Sequence, residues 1–234
     1  MSEGTDDVAT PSEDPSGPRD WWHAFWGTDR FAIALTRDLL VSLLIVALIA
    51  GLLFGIAGVW PPLVAVESDS MERQIMTGDL VFVVDAERYA HDAAIENTGV
   101  VPADVAGDVE YERFDRPGDV IIFMPNGDDS ATPIIHRAHY WVDEGENWYD
   151  RADPDRVGSA DDCDELEHCP APHAGFITHG DNNAFYDQVQ ADSGPVKPEW
   201  VISRAHRRVP LLGRIRLLFD NYFGISLPSV FSFA

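Results

Sequence analysis

The clearest pattern along the chain is a run without charge. Residues 39–60, LLVSLLIVALIAGLLFGIAGVW, are 22 uncharged positions, about 33 Å of helix at about 1.5 Å per residue, enough for a hydrocarbon core of about 30 Å. A transmembrane helix over 38–60 is predicted, with Trp60 as an interfacial anchor. A buried soluble helix or a cleaved leader fits less well, because the run is long and an acidic segment precedes it. Beyond the span the period changes to two. DLVFVV (79–84), GDVIIFM (118–124), PIIHRAHYWV (133–142), GFITHG (175–180) and EWVISRAH (199–206) alternate, carry β-branched and aromatic residues, and are bounded by Gly, Pro, Asn and Asp. They predict strands, and no long amphipathic helix separates them. The fold class expected is mainly β, an antiparallel core behind one N-terminal transmembrane helix.

Other stretches lack periodicity. Residues 1–37 form an acidic tail and juxtamembrane segment, disordered over its Ser- and Pro-rich first part. Residues 85–116 and 143–173 read as acidic insertions within a β domain over 61–209. The apolar segment 210–234 is interrupted by Arg214, Arg216 and Asp220, and it either lies against the membrane or packs into the domain.

Charge adds three conclusions. With 40 acids against 16 bases the net charge is −24, which speaks against nucleic acid as a partner. Repulsion of that size is best tolerated in strong salt, where the screening length falls to roughly 3 Å at 1 M. Lys197 is the one lysine, and a halophilic protein is the expectation. Near the span, Arg30 and Arg37 precede it and Arg73 follows, so the positive-inside rule puts the N-terminus in the cytoplasm and residues 61 onward outside. In that compartment Cys163 and Cys169 form a small-loop disulfide or stay free thiols; the spacing does not suit a metal finger. No cofactor is expected.

The chemistry centres on VESDSMERQIMTGDLVFVV (66–84). Ser70 is the candidate nucleophile, the Ser70 N–H and the Ser68 hydroxyl candidate oxyanion donors. Elimination narrows the base. Lys197 lies between prolines in a loop, a poor place for the burial that a lysine base requires, and arginine stays protonated. Histidine remains, and His136, on the strand PIIHRAH, is the best placed of the eight. His139 points to the opposite face of a regular strand, and His179 ends another. A strand histidine by itself is more often a packed core or surface residue; the surrounding set changes that balance. THGDNNAFYDQ offers two carboxylates to orient a histidine, Asp181 and Asp187, in what would otherwise be an ordinary turn signal.

In order along the chain stand the span, Ser68 to Met71 (Ser-x-Ser-Met), Gly78 to Val81, Arg116 to Phe123, Ile134 to Arg137, and Gly180 to Asp187. Each box is weak singly; as a series over about residues 38–210 they resemble the archaeal and endoplasmic-reticulum type of signal peptidase I. The resemblance implies a signal-peptidase-like β core and a membrane-bound serine endopeptidase that cuts preproteins after small residues. Ser70 would be the nucleophile, His136 the general base, Asp187 its favoured partner and Asp181 a support. The implied partners are preprotein signal peptides, the lipid membrane and, as a further candidate, the translocation machinery. Asp69 and Arg73 depart from the family pattern, which often has a small residue and a proline there. The alternatives are an anchored serine protease of other specificity, or an anchored domain that binds without cleaving.

Overall fold

The computed structural model describes residues 31–210 and the pair 232–233; the N-terminal tail (1–30) and most of the apolar C-terminal segment, with the expectations made for them, lie outside the described residues. The chain divides into two compact units between Leu52 and Leu53, inside helix α1 (Phe31–Ala57). This helix has 27 residues and is long and apolar enough to cross a membrane by length and composition. Leu39, Leu43, Leu48 and Leu52 are each more than half exposed. The helix begins before the expected span and ends at Ala57 rather than residue 60. The stop is Gly58, whose φ of 74° is open to glycine at little cost and whose N–H still bonds to the Phe54 carbonyl at 2.8 Å.

The second unit is mainly antiparallel β, as the period-two runs predict. Its strands are β1 (Leu63–Val66), β2 (Leu80–Val84), the short hairpin β3 (Glu112–Arg113) and β4 (Arg116–Pro117), β5 (Val120–Phe123), β6 (Ile134–Val142), β7 (Gly175–His179) and β8 (Val201–Val209). The sheet order is β7-β6-β5-β8-β2-β1, and the two-residue β9 (Ser232–Phe233) pairs parallel with β1. Strand β8 stitches two halves together: it pairs with β2 on one side and β5 on the other. Strand β5, VIIF, is buried at all four positions because it is central and covered on both faces. Register shifts at Phe82/Val83, Ile122/Phe123 and Ala138/Tyr140 mark irregularities that bend and twist the sheet. It curls far enough that the turns after β1 and β7, which lie toward opposite sides of the sheet, touch, with the Asn182 N–H donating to the Ser70 carbonyl at 2.7 Å.

The acidic insertions are built differently from their sequence pattern. The first holds the short helix α2 (Ala103–Asp108) and the β3–β4 hairpin. The second winds through one-turn helices at Trp148–Arg151, Pro154–Arg156 and Cys163–Glu165. Asn147, Asp153 and Asp162 cap these turns by accepting from the N–H two residues on, which gives many of its polar residues a local task. Trp148 is fully buried at its centre with Val157, Leu166 and a Cys163–Cys169 disulfide, against Tyr140, Ile177 and Tyr186. Single turns have no 2- or 3.6-residue repeat, so this core leaves no periodic trace.

Candidate active site

The Ser70 turn follows β1 directly. Glu72 N–H bonds to the Asp69 carbonyl at 2.9 Å and Ile75 N–H to the Met71 carbonyl at 2.8 Å, closing a compact turn. Met71 and Ile75 are fully buried and anchor it in the apolar cluster of β1, β2 and β5. Ser70 is left half-buried, and its Oγ shares a hydrogen bond with the Ser68 Oγ at 3.0 Å. The two hydroxyls that the spacing paired therefore face each other. Asp69 is exposed, and its part in the turn is a backbone carbonyl that accepts from Asn182 Nδ2 at 3.1 Å.

His136 comes from β6, opposite Ile121 of β5, and is 4% exposed. Its Nδ1 lies 2.8 Å from each oxygen of Asp187, which is completely buried. Asp187 also accepts from the Thr178 hydroxyl at 2.6 Å, and Gln188 Nε2 donates to that same hydroxyl at 3.2 Å. The result is a chain of hydrogen bonds, Gln188 to Thr178 to Asp187 to His136. Burial alone would raise the Asp187 carboxyl, but the charge and hydrogen bond of His136, the Thr178 hydroxyl and the charge of His179 outweigh it and leave its pKa lowered. An ionised carboxylate only accepts, so Nδ1 of the neutral ring carries the proton and Nε2 presents a lone pair. Nε2 is buried and has no hydrogen-bond partner among the described residues. This is the tautomer a general base needs.

Gly180 joins the two halves of this arrangement. A Cβ built on it would lie 2.7 Å from the Ser70 carbonyl oxygen and 2.8 Å from His136 Nε2, so the serine turn and the imidazole converge on one backbone position. The Ser70 hydroxyl does not hydrogen-bond to Nε2 in this conformation; such bonds commonly tighten only when substrate is bound. Gly180→Ala is expected to lower kcat/KM by about 10²-fold through displacement of one partner or the other. Steady-state kinetics beside an unfolding curve checks this; unchanged kinetics would contradict it.

Asp181 is placed elsewhere. It forms a two-pronged ion pair with Arg137, Nε to Oδ1 at 2.8 Å and Nη2 to Oδ2 at 2.6 Å, with both side chains almost wholly buried. Arg137 Nη1 also donates to the Gly118 carbonyl at 2.7 Å and the Arg113 carbonyl at 3.1 Å. The Asp181 N–H points at Met71 Sδ at 3.3 Å. Asp181 thus fastens the Gly180–Asn183 turn to β6, the insertion hairpin and the Ser70 turn, and the carboxylate on His136 is that of Asp187.

Two further strand histidines, His139 of β6 and His179 of β7, form a neutral cluster. His139 and His179 have ring centroids 5.3 Å apart, each edge-on to Tyr186. Burial first, then neighbouring positive charge, pushes His139 down to about 3 and His179 to about 4. Arg156 sits against the His179 ring. Both folded values lie below the ordinary 6.5, so the stability tied to these neutral rings is complete above about pH 6.5 and is lost as pH falls toward 4. His139→Phe is expected to flatten the decline in unfolding free energy between pH 7 and 5; an unchanged slope would contradict this.

Several contributors left little mark in the sequence. Thr178 and Gln188 sit in no distinctive pattern, and Asn182 reads as one more turn residue in Gly-Asp-Asn-Asn. Arg137 beside His136 was part of a recognisable box, but its pairing with Asp181 spans 44 residues of chain. Compared with known proteins, the sequence matches no family model and none of the curated proteins.

Proposed function

We propose that the protein is a membrane-anchored serine endopeptidase of the signal-peptidase type, which removes N-terminal signal peptides from preproteins after small residues. The observation that carries this reading is the His136–Asp187 pair, with its buried, unpartnered Nε2 turned toward the Ser70 turn across Gly180. In the reaction, His136 Nε2 takes the Ser70 hydroxyl proton as Oγ bonds to the scissile carbonyl carbon. The oxyanion is held by the Ser70 N–H and the Ser68 hydroxyl. The imidazolium, balanced by Asp187, gives that proton to the leaving amine as the C–N bond breaks, and water then releases the acyl group by the same path in reverse order.

Helix α1 serves as a membrane anchor, with the N-terminus cytoplasmic and the β unit outside, where a Cys163–Cys169 disulfide is stable. Ser70 lies ten residues beyond Trp60, at most about 33–36 Å of extended chain, so the nucleophile stays close to the membrane surface. The purified full chain, in high salt and detergent, is expected to cut a preprotein after a small residue. Absence of cleavage with every preprotein tried would overturn the reading and favour a binding domain. Cleavage of unrelated proteins at other residues would favour a protease of different specificity.

A further inference from the structure

An apolar cavity of about 320 Å³ lies away from the Ser70–His136 pair. Its floor is Val64 of β1, Val83 of β2, Met124 after β5 and Ile202 of β8, and its walls are the segment after α1, with Trp60, and the β5–β6 loop over 129–133. The floor is continuous with the cluster that holds Met71 and Ile75 of the serine turn and Ile135 next to His136. The cavity marks the beginning of β1 and Ser70 follows its end. Val64 precedes Ser70 by six residues, a path of roughly 20 Å at most in extended chain.

Resting on the proposed function, we infer that this cavity is a distal specificity site, which takes one large apolar side chain four to six residues before the scissile bond. The direction comes from connectivity. Trp60 stands three residues past the end of α1, so in chain order the cavity wall comes between the proposed anchor and the serine turn. The apolar part of a preprotein's leader precedes its cut and comes from the membrane. A chain reaching Ser70 from there follows β1 from start to end, taking the place of the two-residue β9 that pairs parallel with Ala65 and Val66, and passes the cavity before the serine. The small residues near the cut do not fill a space of this size; a Leu or Phe side chain upstream does. The wall residues Ser130 and Thr132 are exposed on the loop and keep the entrance wettable, while the floor offers no buried charge.

The test uses one preprotein that the wild-type protein cuts, with the fourth, fifth and sixth residues before the cut changed in turn to Leu, Ala or Asp. At one of these positions Leu is expected to exceed Asp by about tenfold or more in kcat/KM, the range one apolar side chain supplies. Ala131→Trp and Thr132→Trp, which crowd the cavity from its loop wall, should reduce that preference, read as the Leu-to-Asp ratio within each variant, to about threefold or less. A flat profile at all three positions would overturn the inference but leave the peptidase reading intact. So would an undiminished preference in both Trp variants, the result expected if the cavity houses a lipid chain. No cleavage by the wild type would sink both.

Discussion

Replacing Asp187 with Asn should lower preprotein turnover by about 10⁴-fold while leaving the fold in place. The amide has nearly the same shape and its oxygen can still accept from the Thr178 hydroxyl. What changes is the proton. An amide NH₂ directed at Nδ1 makes that nitrogen the acceptor and moves the ring proton to Nε2, the atom that must accept from Ser70. It also removes the negative charge that balances the imidazolium. Ser70→Ala and His136→Ala should fall to a similar floor, because the three act as a unit and their losses do not add. The measurement is kcat and KM for one substrate across the three variants, with unfolding curves as a control for structure. A loss under tenfold for Asp187→Asn, or a larger loss of kcat for Asp181→Asn, would contradict the assignment. A lowered carboxyl pKa has a stability counterpart: Asp187's contribution is complete above the ordinary carboxyl value of 3.8 and is lost as pH falls below it.

Asp181→Ala should act on stability first, at a cost of about 3–5 kcal/mol. It strands the Arg137 guanidinium, which is 2% exposed and held among backbone carbonyls of the insertion hairpin. The nearby Arg116, 3.9 Å from Asp181, is also positive and offers no replacement charge. Removing both partners, as in Asp181→Leu with Arg137→Met, should be much milder than the single change, because no unpaired charge remains buried. Chemical unfolding at fixed high salt, arranged as a double-mutant cycle, reads this directly. Strictly additive losses, or a single-variant cost below about 1 kcal/mol, would show that the pair does not hold the turn.

These two aspartates show where sequence reading reached and where it stopped. Both stand within one short segment, both follow a strand, and both are acids in a chain of 40 acids. The residues of the proposed chemistry were legible, because lysine was absent from any strand, His136 was on one, and hydroxyls clustered at Ser68 and Ser70. The division of labour was not. It depends on Asp187 folding back onto Thr178, while Asp181 turns toward Arg137. The insertion over 143–173 is a similar case: its core around Trp148 rests on capped single turns and one disulfide, neither of which has a period to detect.

The sequence by itself determined what is local. Twenty-two uncharged residues make a helix long and apolar enough to cross a membrane, and alternation makes strands. These follow from short-range periodicity and composition, which each segment carries whatever it packs against. The tertiary structure decided what is distant in sequence: that the first and last strands of the order β7-β6-β5-β8-β2-β1 curl together, and that Ser70 meets the Gly180 turn. It also decided that one carboxylate faces the imidazole while the other is bound to an arginine. The bulges and packing that set this curl involve residues far apart in the chain, and no single segment encodes their sum.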